Sequence, residues 1–190
     1  MTVSYVERDQ ADTETLAFYD NAEERFQALL NIFKVFGHQP EYGTVFTDMI
    51  MAILKDGVLD WKTKELLILK ATQRNECQYC VVQHERVSNM LGIEDEKIAD
   101  IDGDKYQTSE HFTEGEKALL DFAEQIGIDA NNVSDELWER LHAHWTEPQI
   151  VDAAFVITIY IAVSKFGDAL GVELEPMFDG VKSILSVAHS

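Results

Sequence analysis

Two cysteines three residues apart are the most reactive feature of this sequence. They read Cys77-Gln78-Tyr79-Cys80, with His84 four residues further on and Glu65 twelve residues before Cys77. On a helix opening near Asn75, where Gln78 would complete a capping-box pattern, each residue advances by about 100°. Cys77, Cys80 and His84 then project within one arc of about 60°, while Tyr79 and Gln83 point elsewhere. Glu65 falls on the preceding predicted helix, and an antiparallel pair would bring its carboxylate opposite. Thiols at a helix start meet unpaired backbone N–H groups and the positive end of the helix dipole, which favour a thiolate; a nearby imidazole adds to this. Positions i and i+3 hold their Cβ atoms about 5–6 Å apart, against about 3.8 Å in a relaxed disulfide, so oxidation would need local unwinding and would be reversible. Cys77, nearer the N-terminus, is expected to face solvent.

Other chemistries for these residues can be weighed by spacing. A c-type haem site needs His directly after the second cysteine, where Val81 stands, so it is excluded. A thioredoxin-type pair belongs in a βαβ context, and no strand pattern flanks this one. Zinc is the rival reading, because Cys77, Cys80, His84 and Glu65 count to four ligands, although a second Cys-x-x-Cys or His pair is absent. Two inert buried cysteines are the plain alternative. His142 and His144, two residues apart, face about 200° away from each other on a helix, and His38, His111 and His189 fall in turns or the tail. The acidic run Glu94-Asp95-Glu96 with Asp100, Asp102 and Asp104 reads as a solvated face, and Trp61, Trp138 and Trp145 as packing or interface residues.

The elements that must position these groups read as helical. Ala22 to Phe36 carries apolar residues near a 3.6 spacing and is stopped by Gly37 and Pro40; Tyr42 to Leu54 repeats the pattern. Asp60 caps a helix from Trp61 to about Gln73. The cysteine helix ends at Gly92, with Ile93 as its hydrophobic partner. Thr113 with Glu116 opens a helix through Ile126, and Ser134 another through about His144; Thr146 with Gln149 forms a third box before a long helix over 147–168. The β-branched run Ala153 to Val163 also suits a strand, but the cap before it and Gly167 and Gly171 after it favour a buried helix. That run is far short of the ~20 residues that span a bilayer. MLGIE (90–94) and ALGVE (169–173) read as one helix-stop chemistry used twice. The expectation is an all-α, single domain over 1–190 with seven to nine helices, residues 1–10 an extended arm or a frayed end, and 57–92 the motif-bearing core.

Composition bounds the partners. The chain has 190 residues, 46% apolar, with thirty-five acidic against fifteen basic residues and a net charge of −20. So negative a surface repels phosphate backbones and anionic lipid, which argues against nucleic-acid and membrane partners. Two cysteines do not make a disulfide scaffold, and residues 1–20 carry no apolar stretch of signal-peptide length. A cytoplasmic location is expected. Several apolar helices with few residues to wrap them favour a homo-oligomer.

With Glu65, Cys77-x-x-Cys80-x-x-x-His84 and the helix stop at Gly92 in hand, the chain resembles the AhpD-like, carboxymuconolactone-decarboxylase-related peroxidases, over most of its length and most strongly from Gly57 to Gly92. SKFGDALGVE resembles that family's last helix ending. The AhpD enzyme itself has His between its cysteines, where this chain has Tyr79. The resemblance implies an all-helical fold assembled as trimers or hexamers; no cofactor and no metal are expected. It also implies catalytic roles for Glu65, Cys77, Cys80 and His84. Cys80 would attack a small-molecule hydroperoxide, Cys77 would resolve, Glu65 and His84 would relay protons, and a dithiol protein would return the electrons. A dithiol-disulfide reductase without peroxide specificity is the alternative activity.

Overall fold

The structure is a computed structural model that describes residues 2–187. Among the described residues there are nine α-helices: α1 (Thr13–Phe26), α2 (Asn31–Phe36), α3 (Pro40–Ile53), α4 (Trp61–Arg74), α5 (Gln78–Met90), α6 (Asp95–Ala99), α7 (Glu114–Asp129), α8 (Asp135–His144) and α9 (Glu147–Leu170). Two 3₁₀ segments, Asp102–Gln107 and Pro176–Phe178, complete the set, and the fold class is all-α as expected. Two compact units emerge: Met1–Lys55 with Phe166–Gly180, and Asp56–Lys165 with Val181–Ser190.

In the first unit, the helix expected over 22–36 is two helices. Gln27 adopts a left-handed conformation (φ 59°) and its N–H closes α1 onto Glu23 O, after which α2 restarts at Asn31. Tertiary packing dictates the break: Phe26 and Phe33 lie on either side of it with ring centroids 4.9 Å apart. Pro40 does not merely stop α2 but occupies the first turn of α3, where its fixed φ suits a helix and its missing N–H costs nothing. Residues 4–6 are anchored, not frayed. The Tyr19 hydroxyl donates to Val6 O at 2.7 Å, and Val6 N–H donates to Lys34 O at 3.1 Å.

The second unit is built from α4–α8 and residues 147–165 of α9. Asp60 caps α4 by accepting from Thr63 N–H at 2.9 Å. Thr113 and Glu116 form the expected reciprocal box on α7, and Ser134 caps α8. Gly92 (φ 75°) here and Gly171 (φ 66°) in the first unit both follow helix ends in the left-handed conformation. Ile93 N–H returns to Ser88 O and Val172 N–H to Gly167 O, so one stop chemistry serves twice. The core is mainly aliphatic: Leu66, Leu69, Val81, Ile93, Ile98, Ile101, Leu120 and Leu185 surround Tyr106 and Phe112. The acidic stretch is only partly a solvated face. Glu94, Asp95 and Glu96 are exposed, but Asp104 reaches the buried Lys70 ammonium at 2.7 Å, and Asp102 accepts from Gln73 Nε2 at 2.7 Å.

The ambiguous run from Ala153 to Val163 is helical throughout. By length and composition alone α9 could cross a bilayer, unlike the short run read from sequence. Within the second unit its Ala153, Val156, Ile157, Tyr160, Val163 and Ser164 side chains are buried.

Candidate active site

The local fold at the cysteines differs from the expected helix start in one consequential way. Asn75 does not cap α5. It closes α4, with its side-chain amide donating to Ala71 O at 2.7 Å. Glu76 then turns through a left-handed conformation (φ 58°), and Cys77 itself is the N-cap of α5, with extended backbone (φ −82°, ψ 93°). Its sulfur does what a Ser or Asp oxygen does at this position, accepting from Cys80 N–H at 3.4 Å. Helix periodicity therefore does not govern Cys77. The unwinding that oxidation of the pair would demand is already built in, and the two sulfur atoms lie 2.9 Å apart as free thiols.

Cys77 is not the exposed thiol expected from its place in the chain. It is 0% exposed and Cys80 is 3% exposed. The physical reason is the cap: to accept from the Cys80 N–H, the sulfur must turn inward over the first turn of α5.

Cys80 and His84, one turn apart on α5, present one face. α4 supplies Glu65, completely buried, and its two oxygens are each taken. Oε2 meets His84 Nδ1 at 2.7 Å, and Oε1 accepts from Trp61 Nε1 at 2.8 Å. With Glu65 a carboxylate, Nδ1 donates, and the lone pair of the neutral ring resides on Nε2. α9 closes the site from the other side. The Tyr160 ring stands edge-on to His84, with centroids 4.7 Å apart and planes at 90°. One turn further on, Ser164 Oγ donates to Tyr160 O at 2.8 Å and lies 3.7 Å from Cys80 Sγ. Burial, followed by the negative charges of Glu65 and Cys80, pushes the Tyr160 phenol well above its ordinary range. Beside the site, Lys64 Nζ pairs with Asp152 Oδ2 at 3.3 Å, and that same oxygen accepts from Leu59 N–H at 3.3 Å.

The four residues singled out by spacing, Glu65, Cys77, Cys80 and His84, thus meet in the second unit: the thiols with each other, and the carboxylate with the imidazole. Among the described residues no three His, Cys, Asp or Glu side chains are arranged to hold a metal ion, and both Glu65 oxygens are committed elsewhere. Tyr160 and Ser164 were missed. Their signal was two polar residues four apart interrupting an apolar helix. Trp61 is not only a packing residue: its i, i+4 relation to Glu65 carries the indole hydrogen bond. The remaining described histidines stay outside the site. His38 Nε2 lies 2.8 Å from Ser4 O, His111 pairs with Asp100 at 3.1 Å, and His142 and His144 are exposed; His189 lies outside the described residues. Trp145 donates to Gly115 O at 2.8 Å, and Trp138 packs on Phe122.

Residues 40–106 match the family described as the carboxymuconolactone decarboxylase family, a span that includes all four site residues. An uncharacterized protein of Bacillus subtilis strain 168, YdfG, is 26% identical over 133 residues, covering 70% of this chain and 88% of its own. A crystal structure of an alkylhydroperoxidase AhpD core, an uncharacterized peroxidase-related protein from Ralstonia eutropha JMP134, aligns with a TM-score of 0.79 at 20% identity, covering 93% of each chain. A variant of the debrominase Bmp8, in complex with 2,3,4-tribromopyrrole, aligns with a TM-score of 0.77 at 18% identity, covering 93% of this chain and 92% of its own. These two structural likenesses concern the fold.

Proposed function

We propose, from the premise that this chain belongs to the AhpD-like, carboxymuconolactone decarboxylase family, that it is a thiol-dependent peroxidase. The observation that carries the reading is the buried pair of free thiols at 2.9 Å on the helix that bears His84, itself held by Glu65 at 2.7 Å. His84 takes the proton of Cys80, and the thiolate attacks the outer oxygen of a hydroperoxide. A sulfur–oxygen bond forms, the O–O bond breaks, and the alcohol leaves with the proton that His84 returns. Cys80 is then a sulfenic acid. Cys77 condenses with it, forming the disulfide and releasing water. An external dithiol protein restores both thiols.

The debrominase likeness favours a second reading, in which the same two electrons reduce a different small electrophile and the dithiol is a more general reductant. A homo-oligomer and a cytoplasmic location accompany both readings.

Peroxide treatment of Cys77→Ser and Cys80→Ser, followed by sulfenic-acid trapping and intact mass, tests the proposal. The Cys77→Ser protein should accumulate a trappable adduct at Cys80, and the Cys80→Ser protein little. The reverse pattern would make Cys77 the nucleophile, and no adduct in either would end the peroxidase reading.

A further inference from the structure

Tyr160 is 2% exposed, and among the described residues its hydroxyl makes no hydrogen bond. The other deeply buried tyrosines are satisfied: Tyr19 donates to Val6 O at 2.7 Å and Tyr106 to Asp121 Oδ1 at 2.8 Å. A buried phenol without a partner calls for an explanation, because native folds seldom leave one. Nor is the oxygen sealed away. Among the described residues, the enclosed side-chain polar atoms without partners are Asn21 Oδ1 and Ser88 Oγ. The ring is fixed edge-on against His84, and the next turn of α9 brings Ser164 to Cys80. Other O–H and N–H donors around the thiols are committed: Ser164 to Tyr160 O, His84 Nδ1 to Glu65, and Trp61 to Glu65.

We propose that Tyr160 is a substrate-binding donor of this site, whose O–H hydrogen-bonds the leaving oxygen of a hydroperoxide as Cys80 attacks it. The inference rests on the peroxidase reading above. As the O–O bond breaks, negative charge grows on the leaving alkoxide, and a donor held in place by its ring against His84 would stabilise that charge with little reorganisation. The phenol keeps its own proton, and the one that completes the alcohol comes from His84. Burial and the charges of Glu65 and Cys80 hold the phenol in its neutral, donating form.

The test compares Cys77→Ser with the Cys77→Ser, Tyr160→Phe double variant, so that only Cys80 reacts and the ring against His84 is kept. Two second-order rates are measured: sulfenic-acid formation with tert-butyl hydroperoxide, and alkylation by iodoacetamide, whose leaving iodide needs no such donor. Loss of the hydroxyl should slow the peroxide reaction by about 10²-fold and leave alkylation nearly unchanged. An unchanged peroxide rate overturns the proposal. So does an equal fall in both rates, since Tyr160 would then act on the thiol. If Cys77→Ser itself forms no sulfenic acid while Cys80 still alkylates, the peroxidase reading has failed, and this inference with it. Should the Phe variant not fold, Tyr160→Met removes the hydroxyl with an adaptable side chain, and the same criteria decide.

Discussion

In the first unit, rings meet rings: Phe18 contacts Tyr19 and Phe33, Phe26 contacts Phe33, and Phe36 stacks on both Phe46 and Phe166. The second unit packs aliphatic side chains and, among them, buries Lys64, Glu65, Lys70, His84 and Glu85. Each of these charges or rings is paired: Lys64 with Asp152, Glu65 with His84, Lys70 with Asp104 and Glu124, and Glu85 with the Leu185 N–H and the Ser183 hydroxyl. The first unit buries one carboxylate, Glu175, which accepts from Asn31 N–H at 2.7 Å. Apolar packing stabilises without conditions, whereas buried ions stabilise only while every partner is in place. Such groups gather where chemistry needs them, and one of these pairs, Glu65 with His84, shares α4 and α5 with the thiols.

Matched substitutions in the two units would break or sharpen this contrast. The largest effect is expected from Glu65→Gln, which keeps the shape and removes the charge that orients His84. Peroxide reduction should fall by about 10²–10⁴-fold. Glu175→Gln, also at a buried carboxylate but in the first unit, should leave the rate within about twofold while lowering the denaturant midpoint. Equal slowing by both would erase the distinction. Next comes Phe33→Ala, which removes a ring that is 2% exposed and meets two others. It should cost about 3–5 kcal/mol in urea unfolding, with the thiol reactivity of the folded fraction unchanged.

The smallest effect is a pH dependence shared by both units. Burial pushes the Tyr19 phenol in the first unit up to about 12, and it raises Tyr106 and Tyr160 in the second unit as well. The native state therefore holds these protons where the unfolded chain, with a phenol near pH 10, has released them. Stability from this source is complete below about pH 10 and is lost as pH rises further toward the folded values. Ultraviolet titration should show tyrosinate from Tyr19 only near pH 12. Tyr160→Phe should flatten the alkaline fall in stability; an unaltered slope would place that fall elsewhere.

What was legible in the sequence was local. Asp60, Thr113, Ser134 and the two helix-stop glycines act within one turn of the chain, and their caps appear where the spacing put them. Glu65, Cys80 and His84 were readable because helix periodicity governs them. Cys77 was misread because a thiol is not counted among cap residues, and only the turn at Glu76 moves the helix start past it. The break after Phe26 depends on rings meeting across it, which periodicity cannot register. Tyr160 and Ser164 meet residues some 80 positions away in the chain, and only the packing of α9 brings them there.

In the proposed peroxidase, the sulfur of Cys77 holds two posts at once, as half of the redox pair and as the acceptor for the Cys80 amide. Closing the 2.9 Å between the sulfur atoms to the about 2.05 Å of a disulfide must move Cys77 Sγ from its place over the Cys80 N–H. Oxidation should therefore uncap α5 as it stores the oxidising equivalents, and the Cys80 amide should exchange with deuterium faster in the oxidised protein than in the reduced one. The first turn of this helix then works as a built-in gauge, reporting through its backbone whether the protein is charged or spent.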